Sequence, residues 1–263
     1  MRINLYRIPI AVAVIALITA FLCHLSRHAR AQGTASASPN LALGNPDNAT
    51  SDPSNHSHFL IVRPQFAESY NDTLRIPNWV EWHLSAKDIG SEERGIFRPD
   101  TGLPVGFVRV TTGDYTGAGC DRGHLCPSKD RSASRVDNDA VFTMANICPQ
   151  LHTLNGGPWE RLESYCRTLA QSGDDLYILA GNVVPPDHKS IGRNRVAVPS
   201  ECWKIVLIVP PGGKIGASDR VIVVDMPNND TVALTTDWHR YASSVARIAQ
   251  ETGLHFGPLL AGK

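Results

Sequence analysis

The chain has 263 residues with 25 basic and 25 acidic side chains, so it carries no net charge with which to hold a polyanion by broad attraction. Its apolar share of 42% over this length supplies enough chain for a substantial core. Any phosphate it recognises must be met locally, in a cleft.

Taken in chain order, Arg2 and Arg7 precede an apolar run from Ile8 to Leu22, and Ala29-Arg30-Ala31 offers a small-x-small cleavage pattern. Residues 1–31 are therefore expected to be an export signal. A retained membrane anchor is the competing reading of the same run, weakened by Pro9, Cys23 and His24. Cleavage removes four arginines and no acids, leaving 21 basic against 25 acidic residues, a mature charge of −4. Residues 32–57, rich in Ser, Ala, Asn, Pro and Gly, read as a flexible linker, and residues 58–263 as a single domain.

Short apolar runs at Val105 to Val110, Ala140 to Ile147, Leu176 to Ala180, Trp203 to Val209 and Val221 to Val224 predict strands. Pro158 suits a helix's first turn, and Trp159, Leu162, Cys166 and Leu169 then form one apolar stripe that stops near Gly173. Asp237 predicts the start of a second helix, with Trp238, Tyr241, Val245 and Ile248 on its apolar face and Gly253 at its end. Strands before, between and after these helices indicate an α+β fold. The tryptophans Trp159, Trp203 and Trp238 fall at core positions of these elements.

The chemistry concentrates in Gly119-Cys-Asp-Arg-Gly-His-Leu-Cys-Pro127. His124 is a candidate general base, since an ordinary imidazole is mostly neutral at about pH 8. Arg122, two residues earlier in an extended segment, shares its face and supplies positive charge, and Gly123 leaves the backbone free to come close to a ligand. Downstream, Leu154-Asn155-Gly-Gly-Pro-Trp159-Glu-Arg-Leu-Glu163 places an amide near a helix start and a carboxylate eight residues later. In a continuous helix these differ by about 80° around the axis, so both overlook one cleft. Mg²⁺ keeps several waters and accepts few protein oxygens, which makes a single Asn ligand chemically sensible. Arg167 follows Glu163 by one turn and neighbours it on the helix surface, while Glu160 reads as an ordinary surface residue.

Together, Cys120-Asp-Arg-Gly-His-Leu-Cys-Pro-Ser-Lys-Asp-Arg131, Phe142-Thr-Met-Ala-Asn-Ile-Cys-Pro-Gln150 and Asn155-x7-Glu163 resemble the DNA/RNA non-specific endonuclease family, whose members share a ββα-metal active site. Phe97-Arg-Pro-Asp100, Leu176-Tyr-Ile-Leu-Ala-Gly181 and Val198-Pro-Ser-Glu-Cys-Trp-Lys-Ile205 follow in the family's order, extending the resemblance over residues 60 to 257. It implies a central antiparallel sheet flanked by helices (the His-Me finger fold) and a secreted or periplasmic enzyme without stable membrane association after signal cleavage. It also implies hydrolysis of DNA and RNA to 5′-phosphorylated oligonucleotides, with a protein inhibitor as a candidate partner.

Carried onto this chain, the resemblance makes His124 the general base and Asn155 the direct protein ligand of a hydrated Mg²⁺, with Mn²⁺ as a substitute. Glu163 then holds a metal-bound water, Arg122 and Arg167 contact phosphate, and Asp121 and Asn146 support the site, by hydrogen bonding more than by chemistry. The family's further arginine corresponds here to Arg94, displaced by one position within Ser91-Glu-Glu-Arg94. In a strand that offset would reverse the side chain's direction.

A zinc-binding, non-catalytic nucleic-acid-binding module is the rival on residue types, drawing on Cys120, His124, Cys126, Cys148 and His152. An exported chain more often oxidises such thiols. Outside the signal the five cysteines are odd in number, and Cys126 with Cys148 is the favoured disulfide among several arrangements.

Overall fold

The run Cys202-Trp-Lys-Ile-Val-Leu-Ile-Val209 is apolar on both alternations apart from one lysine, a pattern that requires cover on both faces. The computed structural model, which describes residues 38–263, makes it an inner strand of the main sheet. The export signal at 1–31 and the first residues of the linker lie outside the described residues.

In chain order the strands are β1 (Phe59–Val62), β2 (Ala67–Asn71), β3 (Ile76–Leu84), β4 (Asp121–His124), β5 (Ile147–Gln150), β6 (Asp175–Val183), β7 (Ser190–Ile191), β8 (Val196–Ala197), β9 (Glu201–Val209) and β10 (Arg220–Pro227). The main helices are α1 (Arg135–Val141), α2 (Glu160–Gln171) and α3 (Val245–Thr252). Six strands form one antiparallel sheet in the order β1-β2-β3-β6-β9-β10, while β4-β5 and β7-β8 are separate hairpins. The fold is α+β.

Alternation divides the sheet's side chains between two cores. Cys202, Val206 and Ile208 join Trp82 and Leu84 on the face that receives α2 and the β4-β5 hairpin. Trp203, Ile205, Leu207 and Val209 join Trp79 and Leu179 on the other face, beneath Ile248 of α3. Ile205, Val206 and Leu207 are fully buried, and burial of each contributes roughly 1.5–3 kcal/mol.

The expected strands within 176–180, 203–209 and 221–224 form, each somewhat longer than its apolar run. Two others do not. Val105 to Val110 is irregular, with Val105 exposed and a Pro104–Phe107 turn. Ala140 to Ile147 instead holds the end of α1, started by a Ser134 cap, and then a tight turn at Met144–Asn146. The helix expected from Asp237 to Gly253 is broken: after a single turn at Trp238–Tyr241, Ala242 bridges Val224 and the Ser243 N–H donates to the Val223 carbonyl at 2.9 Å. Ser244 then caps α3, and Gly253 ends it in the left-handed conformation (φ 72°).

The linker reading of residues 32–57 fails for its described part. Leu43 and Ala49 are buried in the second core, the Leu43 N–H donates to Glu81 Oε1 at 2.7 Å, and Asp47 Oδ1 accepts from the Trp79 indole at 2.8 Å. The small polar residues that suggested a tether serve instead as turn formers and hydrogen-bond partners. Among the described residues no helix is long and apolar enough to cross a membrane.

Candidate active site

The β4-β5 hairpin pairs Asp121 with Gln150, Arg122 with Pro149, Gly123 with Cys148 and His124 with Ile147. Ile147 and Cys148 are fully buried and fix the hairpin to the core. Gly123 is required by close packing, since a Cβ there would collide with the Gln150 side chain. The group brought close is therefore a protein amide, where the sequence suggested a ligand. At the start of α2, Trp159 donates its indole N–H to the His124 carbonyl at 3.3 Å, which ties helix to strand.

Alternation sends Arg122 and His124 to one side, as expected. Both line a cleft of about 190 Å³ together with Arg94, Asn155, Glu160 and Glu163. A neighbouring opening of about 370 Å³ shares Arg94, Arg122 and Asn155 and continues past Phe97, Tyr115 and Asp121. The segment around Arg94 forms no strand, so the one-position offset does not turn this side chain away.

The His124 ring is wedged between Phe97 and Phe142, with centroids at 5.1 and 4.8 Å. Those aromatic faces also seat the two cations: the Arg122 guanidinium lies 4.7 Å from the Phe97 centroid and that of Arg94 lies 5.5 Å from Phe142. Burial, then Arg94 and Arg122, pushes the imidazole down to about 3. His124 is consequently neutral throughout the physiological range. Among the described residues its Nε2 is buried without a hydrogen-bond partner, so exchange with the cleft falls to Nδ1.

Asn155 opens a π turn spanning Asn155–Trp159, and Gly157 inside it is non-helical (φ −108°, ψ −117°). The continuous helix expected from Asn155 to Glu163 is thus interrupted, and the kink carries Asn155 to the cleft. Its Nδ2 donates to Asp121 Oδ2 at 2.9 Å, an oxygen that also meets His152 Nδ1 at 2.9 Å. That bond assigns the amide's orientation and leaves the carbonyl oxygen for a ligand. Glu163 is buried, and desolvation pushes it up to about 7 despite Lys204. One neutral oxygen near one buried carboxylate is a donor set suited to a hard, hydrated cation.

The family model for DNA/RNA non-specific endonucleases matches residues 44–262. The chain belongs to this family. A "Nuclease" of Nostoc sp. (strain PCC 7120 / SAG 25.82 / UTEX 2576) is 42% identical over 229 residues, covering 84% of this chain and 81% of that protein. "Endonuclease G, mitochondrial" of Homo sapiens is 30% identical over 212 residues, covering 76% and 69%. In fold the chain resembles one from the crystal structure of an EndoG/EndoGI complex, at TM-score 0.67 and 22% identity over 80% of this chain and 93% of that one. The protein is an endonuclease.

Arg167 and Asn146, also expected at the site of this non-specific endonuclease, do not line the two openings. Arg167 lines a separate cleft with Lys129, Ser132 and Thr168, and its guanidinium is engaged by Asp130 Oδ1 at 3.1 Å and Glu160 Oε1 at 3.4 Å. It lines neither opening at His124, its guanidinium being engaged by these two carboxylates. Asn146 is wholly buried and clamps the backbone: Oδ1 accepts from the Cys126 N–H at 3.0 Å, and Nδ2 donates to the carbonyls of Cys126 and Val141, each at 2.9 Å. It lines neither opening.

The five described cysteines are free thiols, so the Cys126–Cys148 disulfide is not formed. The two occupy different surroundings, Cys126 beside Arg131 and Asp130 and Cys148 beside Cys202. Nor do Cys120, His124, Cys126, Cys148 and His152 converge as a zinc site would require. The cluster of metal-capable groups among the described residues is instead Glu201, Asp225 and Glu251, bridged by Arg247.

Sequence reasoning missed two groups. Glu160, read as surface, edges the His124 cleft and pairs with Lys129 at 3.6 Å and with Arg167. Lys204 is fully buried and pairs with Glu163 at 3.4 Å. A lone charge inside the apolar run of β9 was the available signal.

Proposed function

We propose that this endonuclease hydrolyses phosphodiester bonds of both DNA and RNA to 5′-phosphorylated oligonucleotides, with His124 as general base and a hydrated Mg²⁺ on Asn155. The observation that carries the reading is a neutral His124 sharing one cleft with Arg94, Arg122, Asn155 and Glu163. An ordinary hydrated divalent cation, Mg²⁺ or Mn²⁺, would supply charge against the departing oxygen.

His124 Nδ1 takes the proton as the water oxygen forms its bond to phosphorus. The bond from phosphorus to the 3′ oxygen breaks, that oxygen takes a proton from a solvent water, and the phosphate stays on the 5′ end. Arg122 and Arg94, steadied on Phe97 and Phe142, face the non-bridging oxygens where charge accumulates. Asp121 orients Asn155, and Glu163 would hold a water of the ion's hydration shell. None of these contacts reads a base or a sugar hydroxyl, which supports action on both nucleic acids.

The leader features support export to the periplasm or medium, without stable membrane association once the signal is cleaved. A nuclease of this kind threatens its host, and a protein inhibitor is the partner we propose, the structurally similar EndoG having been solved in an EndoG/EndoGI complex that concerns EndoG inhibition. The decisive assay incubates the purified protein with DNA and with RNA in Mg²⁺, then in excess EDTA. Cleavage of both substrates, abolished by EDTA, is expected. Undiminished cleavage in EDTA would overturn the role of the ion.

A further inference from the structure

Lys204 is the one basic side chain on the apolar alternation of β9, between Cys202 and Val206. It is fully buried, and its ammonium lies 4.0 Å from the ring centroid of Trp159 and 5.7 Å from that of Trp82. A desolvated ammonium is costly unless paired. Its hydrogen-bond partner is Glu163 Oε1, at 3.4 Å. Lys204 is absent from both openings at the site, so it touches no substrate.

The groups facing Glu163 come from three elements. Asp130, on the turn after β4, repels it, Arg167 on α2 itself attracts it, and Lys204 reaches it from the central sheet. Asp130 and Arg167 are occupied with each other at 3.1 Å, and Trp82 donates its indole N–H to Asp130 at 3.0 Å. Among the described residues, Lys204 is therefore the cation with no carboxylate other than Glu163 in hydrogen-bond reach. It also stacks on Trp159, the residue that ties α2 to the His124 carbonyl.

We propose that Lys204 is a positioning residue of the nuclease site, holding the Glu163 carboxylate in place at the cleft from the central sheet. This rests on the reading in which Glu163 serves the hydrated cation. The arrangement anchors a cleft carboxylate to the rigid central sheet, independently of the kinked turn that carries Asn155. Partners of this kind, one step removed from a metal site, typically change metal affinity or activity by about 10–100-fold when removed.

The test is a double-mutant cycle on the whole protein with Lys204→Met, Glu163→Gln and the pair, read by kcat and KM on DNA and by Mn²⁺ affinity without nucleic acid, from the free-ion EPR signal. Lys204→Met is expected to lower kcat by about tenfold or more and to weaken Mn²⁺ binding, with KM for DNA little changed. Added to Glu163→Gln, it should cost little more, because its effect passes through that carboxylate. Lys204→Arg should restore part of the loss. The pair also leaves no unpaired buried charge, so it stays informative if Lys204→Met alone fails to fold. Full activity and Mn²⁺ affinity in Lys204→Met would overturn the proposal while leaving Glu163's role intact, as would independent, multiplying losses in the pair. Full activity in Glu163→Gln would overturn the Glu163 role and this proposal together.

Discussion

Asp121 Oδ2 accepts from the Asn155 side-chain amide at 2.9 Å across the gap between the hairpin and the turn before α2. The motif's acid thus acts on the candidate ligand, while its arginine and histidine face the cleft. Asp121→Ala removes that constraint and lets the amide rotate. Titration of activity with Mg²⁺ should show a requirement raised by about 10–100-fold, with near-normal turnover recovered at saturating ion. An unchanged metal requirement would remove Asp121 from this role.

His124→Ala should lower kcat by about a hundredfold or more, the scale of a lost general base, with KM for nucleic acid little altered. The substitution also empties the slot between Phe97 and Phe142, so circular dichroism should accompany the kinetics.

The acid limb of activity should belong to Glu163 and not to His124. His124 is held down to about 3 and stays neutral across the assay range, whereas Glu163 is pushed up to about 7 by burial. Turnover should fall as pH drops through about 7, where the carboxylate protonates, and Glu163→Gln should flatten that limb. A limb that survives the substitution unchanged would assign it to another group.

Asp225 provides a pH effect on stability remote from the cleft. Burial, then the neighbouring carboxylates Glu201 and Glu251, pushes it up to about 9. Because the folded value exceeds the unfolded one, its contribution is fully present below the usual carboxylate range and is lost as pH rises through about 9. Melting temperature should decline from pH 6 to 10, and Asp225→Asn should shrink that decline. An identical decline in the variant would refute the assignment.

Residues 38–57 should prove part of the folding unit. Leu43→Ala, at a side chain 2% exposed, should cost about 2–5 kcal/mol in urea unfolding. A chain beginning at residue 58 should melt well below one beginning at Ser38, since it uncovers the second core and leaves Glu81 without its Leu43 donor. Equal melting temperatures would restore the tether reading.

The three later main-sheet strands were legible because fully buried strands announce themselves as continuous apolar runs. The first three were not, since β2 reads Ala-Glu-Ser-Tyr-Asn and is buried at every position, with Ser69 donating to Asp47 and Glu68 lying 3.7 Å from Arg63. The helix at the C-terminal end shows the reverse error. Its periodicity was real, but a backbone bond from Ser243 to β10 outcompeted helix continuation.

Sequence by itself determined which residue types were present for phosphoryl chemistry and that Arg122 and His124 share a side, because period-two alternation is local geometry. The tertiary structure decided which of them meet. It brought Arg94 beside His124, drew Arg167 away to Asp130, kept Cys126 and Cys148 as separate thiols, and slid Lys204 beneath Glu163. Charges and thiols have no periodicity of their own. Their pairing is settled only when the sheet, hairpin and helix pack and each buried ion finds the nearest compensating one.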